Sequence, residues 1–118
     1  EGANQDELWV LALNTRNQLI RQQQLYKGTI NHSTARMAEI MEIPIRLHSA
    51  AVIVVHNHPS GDPEPSKEDI RFTEALVRAG QLMDISVLDH IIIGKNGFRS
   101  IRRMGQVSFK TSSGRSWD

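Results

Sequence analysis

The chain of 118 residues contains no cysteine, so disulfides, thiol nucleophiles and every cysteine-ligated metal site are excluded. Aromatic residues make up only 5% of it, and the formal net charge is +1. Charge this close to neutral gives no bulk argument for nucleic acid as the main partner. Long apolar runs are also missing. Leu8–Leu13 and Ala50–Val55 are far shorter than a membrane span, so no membrane association is expected. No charged leader followed by an apolar core opens the chain, and no feature points outside the cell, so a cytoplasmic location is expected.

What remains is an ordinary globular composition, 39% apolar and 23% charged, at a length that suits one hydrophobic core. Residues 1–118 are read as a single domain whose polar ends, 1–6 and 111–118, are expected to be disordered. Charge is unevenly spread. From Lys95 onward come Lys95, Arg99, Arg102, Arg103, Lys110 and Arg115, with Asp118 as the only acid. A solvated basic segment is the first reading of this run, and contact with nucleic acid or an acidic partner is the second.

Hydrophobic patterning gives the order strand, strand, helix, strand, helix, strand, strand. Leu8–Leu13 reads as a buried strand and Gln18–Tyr26 as a more exposed one hairpinned to it through Asn14-Thr15-Arg16-Asn17. A helix capped by Ser33 or Thr34 is predicted to run to about Leu47, with a kink or break at Pro44. Ala50–Val55 is apolar on both faces and is predicted to be the central strand, with Ile53 and Val55 fully buried. After the stiff loop Pro59–Pro65, a helix opens at Ser66 and is predicted to stop at Gly80. Ile85–Ile93 is a further strand, returning as Phe98–Ile101 through the turn Gly94-Lys95-Asn96-Gly97. The expected fold is α/β (α+β), a mixed β-sheet flanked by helices.

The chemistry is concentrated between Val55 and Asp69. Alternate strand residues share a face, so His56 and His58 point the same way while Asn57 turns from them. Two imidazoles about 7 Å apart at their Cα atoms can converge on one metal ion. The chain then turns back, and Asp69 falls in the first turn of the next helix, where it can add an anionic ligand. Two histidines, one carboxylate and an open position form a set suited to catalytic zinc. The plainer reading is a pair of surface histidines beside a capping pair, Ser66 with Asp69.

The string His56-x-His58-Pro59, followed by Ser66-x-x-Asp69, resembles the JAMM (MPN+) metalloprotease motif. The longer strings His56-Asn57-His58-Pro59-Ser60-Gly61-Asp62-Pro63 and Leu88-Asp89-His90-Ile91-Ile92-Ile93-Gly94 resemble the bacterial RadC family. The likeness runs from Glu7 to about Phe109. It implies a JAMM/MPN-like fold, similar in architecture to cytidine deaminases, with one zinc ion on His56, His58 and Asp69. It also implies hydrolysis of an amide or isopeptide-like bond in a peptide or protein. Glu7 matches the upstream glutamate that serves such sites as general base, with Asp6, Glu39 and Glu42 as rivals. Ser66 resembles the serine that supports the oxyanion, a role expected to compete with capping its own helix. The family's label also carries a DNA-repair association, which makes nucleic-acid processing the alternative function. Its N-terminal helical region, similar to a helix-hairpin-helix, is not represented in these residues. Its Pro-Arg-Glu string reads Met37-Ala38-Glu39 here, a departure that leaves the ligands untouched. A zinc deaminase needs Pro-Cys-x-x-Cys and is excluded. Asp89 and His90 alternate on an apolar strand, so one of them is expected to point inward, as a buried polar residue or a partner of the site.

Overall fold

A computed structural model describes residues 6–28 and 37–109. The termini expected to be disordered, His32 and the caps proposed at Ser33 and Thr34 lie outside these residues, apart from Asp6. Strand β1 (Asp6–Leu13) and strand β2 (Leu19–Gly28) form an antiparallel hairpin. Helix α1 (Met37–Leu47) leads to strand β3 (Ala51–Asn57), and helix α2 (Lys67–Met83) connects it to strand β4 (Ser86–Ile93). A short strand β5 (Phe98–Ser100) and a single helical turn, α3 (Ile101–Met104), follow. The sheet order is β2-β1-β3-β4-β5, so β3 is central as expected. β3 and β4 run parallel and the other pairs antiparallel, which makes the sheet mixed. Among the described residues no helix is long and apolar enough to cross a membrane.

The main core lies on one face. Ile40, Met41 and Ile43 of α1 and Leu76 and Val77 of α2 pack over Leu8, Val10, Val52, Val54, Val87 and Ile92. Each fully buried aliphatic side chain of this kind stabilises the docking by about 1.5–3 kcal/mol. A smaller cluster of Leu13, Ala51, Ile53 and Leu88 covers part of the opposite face.

Four local expectations need correction, each for a physical reason. Ile53 is buried, but Val55 is only half-buried, because with Trp9, Leu11 and Gln22 it lines an open groove on the second face. Of the kink or break expected at Pro44, the break does not occur, because α1 continues through it to Leu47 with Pro44 buried in its last turns. Gly80 does not stop α2 either. The helix runs to Met83 and is capped by Asp84 in the left-handed region. Glycine is needed at position 80 because a Cβ there would lie 2.3 Å from the carbonyl oxygen of Ile85, where the chain crosses towards β4. Finally, the return strand ends at Ser100, whose hydroxyl accepts from the Arg103 N–H and opens α3.

Asp89 and His90 are both buried. Val52 pairs with Val87 but Ile53 pairs with Asp89, so Leu88 is an extra residue in β4. Such a bulge re-aims the side chains that follow it. The Asp89 carboxylate accepts from the Ser100 hydroxyl at 2.5 Å and from the Arg102 N–H at 3.1 Å, tying β4 to α3. His90 turns towards α2.

Candidate metal centre

The site forms at the carboxyl end of the parallel β3–α2–β4 unit, the usual place for binding in such units. His56 is in the last turn of the pleat of β3 and is buried. The next residues leave the strand, and the His58 N–H donates to the Ile93 carbonyl at 3.0 Å, holding the chain against β4. The His58 Nδ1 lies 2.8 Å from the carbonyl oxygen of Asp62. A carbonyl only accepts, so Nδ1 carries the proton, and this leaves the Nε2 lone pair available to a metal ion. That Nε2 lies 2.9 Å from Asp69 Oδ2.

Asp69 reaches the same point from α2. It is the third residue after the cap and is completely buried. Its Oδ2 accepts from the Ser66 N–H at 2.8 Å, while Ser66 Oγ accepts from the Asp69 N–H at 3.0 Å. This reciprocal capping box fixes the carboxylate in orientation. The other oxygen, Oδ1, lies 3.7 Å from His56 Nδ1. One ligand atom from each of His56, His58 and Asp69 falls within 4.8 Å of the others. A carboxylate taken fully out of water is costly unless hydrogen bonds, a positive charge or a metal ion compensate it. Two imidazoles and a carboxylate converging in this way are a nitrogen–oxygen donor set that suits a divalent ion such as zinc. The structure therefore brings together all three residues expected to hold a metal.

The loop carrying His58 is clamped from the side by the turn after β4. The Lys95 N–H donates to the Gly61 carbonyl at 2.6 Å, and Arg99 Nε donates to Glu64 Oε2 at 2.8 Å. A Cβ on Gly94 would lie 2.3 Å from the Gly61 carbonyl oxygen and 2.6 Å from Pro63 Cδ. Gly94→Ala is therefore expected to push the loop away, lower stability by about 1–3 kcal/mol and weaken metal retention. Thermal melting and a zinc titration measure the two effects separately; an unchanged titration would show that the clamp does not govern His58.

Glu7 stands beside this group in register. It pairs with Asn57 across β1 and β3, and its N–H donates to the Asn57 side chain. Strand alternation sends its side chain with Trp9 to the face away from His56, and Trp9 Nε1 donates to Glu7 Oε1 at 3.2 Å. The carboxylate thus sits at the end of the sheet, held from the side of the groove. Of the rivals, Glu42 is exposed and pairs with Arg46 at 3.3 Å. Ser66 is confirmed as the cap. His48, directly after α1, adopts the left-handed region with φ 53°. In the basic segment, Arg99 is engaged by Glu64 and Arg102 by the Leu88 carbonyl, while Lys110 and Arg115 lie outside the described residues.

Thr73 was not singled out from the sequence, although it lies one helical turn after Asp69. Its hydroxyl donates to the Asp69 carbonyl at 2.7 Å and lies 2.6 Å from His90 Nδ1. A threonine four residues along a helix carries no motif, and only the fold shows that it meets His90.

A mixed sheet whose parallel strand end gathers two histidines and a buried aspartate defines a domain of the JAB class with a possible metal site. The match of residues 1–106 to the model of the RadC-like JAB domain makes the assignment particular: this chain belongs to that family. It is 48% identical over 102 residues to a UPF0758 protein of Roseiflexus sp. (strain RS-1), covering 86% of this chain and 44% of the relative. It is 47% identical over 107 residues to a UPF0758 protein of Roseiflexus castenholzii, covering 91% of this chain and 46% of the relative. A UPF0758 protein of Desulforamulus reducens is 44% identical over 104 residues, with 88% and 46% covered. The chain thus spans less than half the length of these curated relatives.

Proposed function

We propose that this domain is a zinc-dependent hydrolase acting on an amide or isopeptide-like bond of a peptide or protein. The observation that carries the reading is the convergence of His56, His58 and Asp69 within 4.8 Å, two nitrogen donors and one carboxylate at a strand end. His58 and Asp69 are already oriented by the Asp62 carbonyl and the capping box. Zinc bound by these residues would supply Lewis acidity and bring the pKa of water towards ~7.

The chain's own residues divide the remaining work. Glu7 is the general base, taking a proton from the attacking water and passing it to the leaving amine. For this its carboxylate must turn from Trp9 round the end of the sheet towards the histidines. Ser66 can serve both functions considered for it. In the cap its oxygen accepts with a lone pair, and the hydroxyl hydrogen is a separate group able to donate to a developing oxyanion.

Elemental analysis of the purified chain, joined to a peptide-library cleavage screen, tests the reading. One zinc ion per chain and cleavage that chelation stops and zinc restores are expected. A chain that takes up no zinc on titration overturns it.

A further inference from the structure

Behind the three ligands lies a second, fully buried pair that the proposed chemistry does not use. Thr73 and His90 are 0% and 1% exposed. The Thr73 hydroxyl has one hydrogen, and the Asp69 carbonyl 2.7 Å away can only accept it. The contact of 2.6 Å with His90 must then be donated by His90 Nδ1–H. The chain of donors runs His90 to Thr73 to the backbone of Asp69. The His90 ring also lies 6.2 Å from the ring of His56, tilted by 30°, and is itself backed by Phe72, whose ring meets it edge-on at 6.2 Å. One imidazole therefore bears on two of the three residues expected to hold a metal, on Asp69 through a hydroxyl bonded to its backbone carbonyl and on His56 through ring proximity. It comes from β4, whereas those ligands come from β3 and α2. The bulge at Leu88 lets adjacent Asp89 and His90 both be buried on separate partners.

We propose that Thr73 and His90 are positioning residues of the metal centre, setting the distance between α2 and β3 so that Asp69 and His56 meet the ion without rearrangement. The inference rests on the metal reading above. It assigns no contact with ion or substrate to either residue. Groups behind the ligands of a metal site commonly govern its affinity by 10–100-fold.

The test is zinc affinity of the 118-residue chain, measured by competition with a chromophoric chelator, alongside melting of the metal-free protein. Thr73→Val keeps the shape and removes the hydroxyl; it is expected to weaken zinc binding by about 10–100-fold. Thr73→Ser keeps the hydroxyl and should restore near wild-type affinity, which a role in packing alone does not predict. Because Thr73→Val leaves a buried imidazole N–H facing a methyl group, the double variant Thr73→Val/His90→Leu removes both polar partners. It should melt closer to wild type than the single variant yet still bind zinc weakly. Wild-type zinc affinity in Thr73→Val or the double variant, with only melting altered, overturns the positioning role and leaves the metal site intact. Failure of the wild-type chain to bind zinc overturns the metal reading and this inference with it.

Discussion

His56→Ala is expected to yield a folded chain that retains no zinc. His56 is near the end of β3, after the residues that form the core, so Val52 and Val54 keep their packing on α1 and α2. The substitution leaves only His58 and Asp69, and two ligands bind a divalent ion far more weakly than three. Loss of a ligand should exceed the 10–100-fold cost typical of residues one layer further out. Zinc per chain after desalting should fall from one to near zero, while far-ultraviolet circular dichroism stays that of the wild type. Zinc retained at full stoichiometry would mean that the ion is held elsewhere. Loss of the folded spectrum would mean that the imidazole is needed for the sheet itself.

The second large effect is expected at Glu7. Glu7→Gln keeps the length of the side chain and an oxygen able to accept from Trp9 Nε1, so stability and zinc content should hold. What it removes is the group that takes the proton, and the rate should fall by roughly 10²–10⁴. The stopped assay is cleavage of whichever peptide the library screen selects, at saturating zinc. The geometry makes the outcome informative. Glu7 is level with Asn57 between the two histidines, but its carboxylate is held by Trp9 on the other side of the sheet. An unchanged rate would show that the side chain stays there, and Glu39 would become the candidate. If Glu7→Gln instead strips the metal, Glu7 is a ligand, and the site is closed rather than catalytic.

The legible part of this fold was the part written in hydrophobic runs and close spacing. β1 and β3 each carry an unbroken apolar run, Leu8–Leu13 and Ala51–Val55, and β4 is apolar on either side of Asp89 and His90. His56, His58 and Asp69 lie within one strand–loop–helix, so local geometry brings them together. The errors came where a residue's role depends on what crosses it. Gly80 looks like a helix stop because glycine ends many helices, but it is set by the approach of the Ile85 carbonyl. Val55 has the composition of a central strand residue, yet its exposure is decided by the groove beside Trp9. Pro44 keeps its place in α1, where it is buried. The burial of both Asp89 and His90 needs an extra residue in β4 that no alternation pattern announces. Thr73 became visible only with His90 beside it.

The two halves of the proposed site differ in how far apart they are along the chain. His58 and Asp69 are 11 residues apart, whereas Glu7 and Asn57, which fix the level of the base, are 50 apart. The entropy of closing a loop grows with its length, so bringing β1 to β3 costs more chain entropy than closing the loop between His58 and Asp69. A chain in which β3, α2 and β4 have assembled but β1 has not docked would already own its three ligands and lack its base. On the proposed reading, metal content would then report that the strand–helix unit has formed, and only turnover would report that the first strand has reached its place in the sheet.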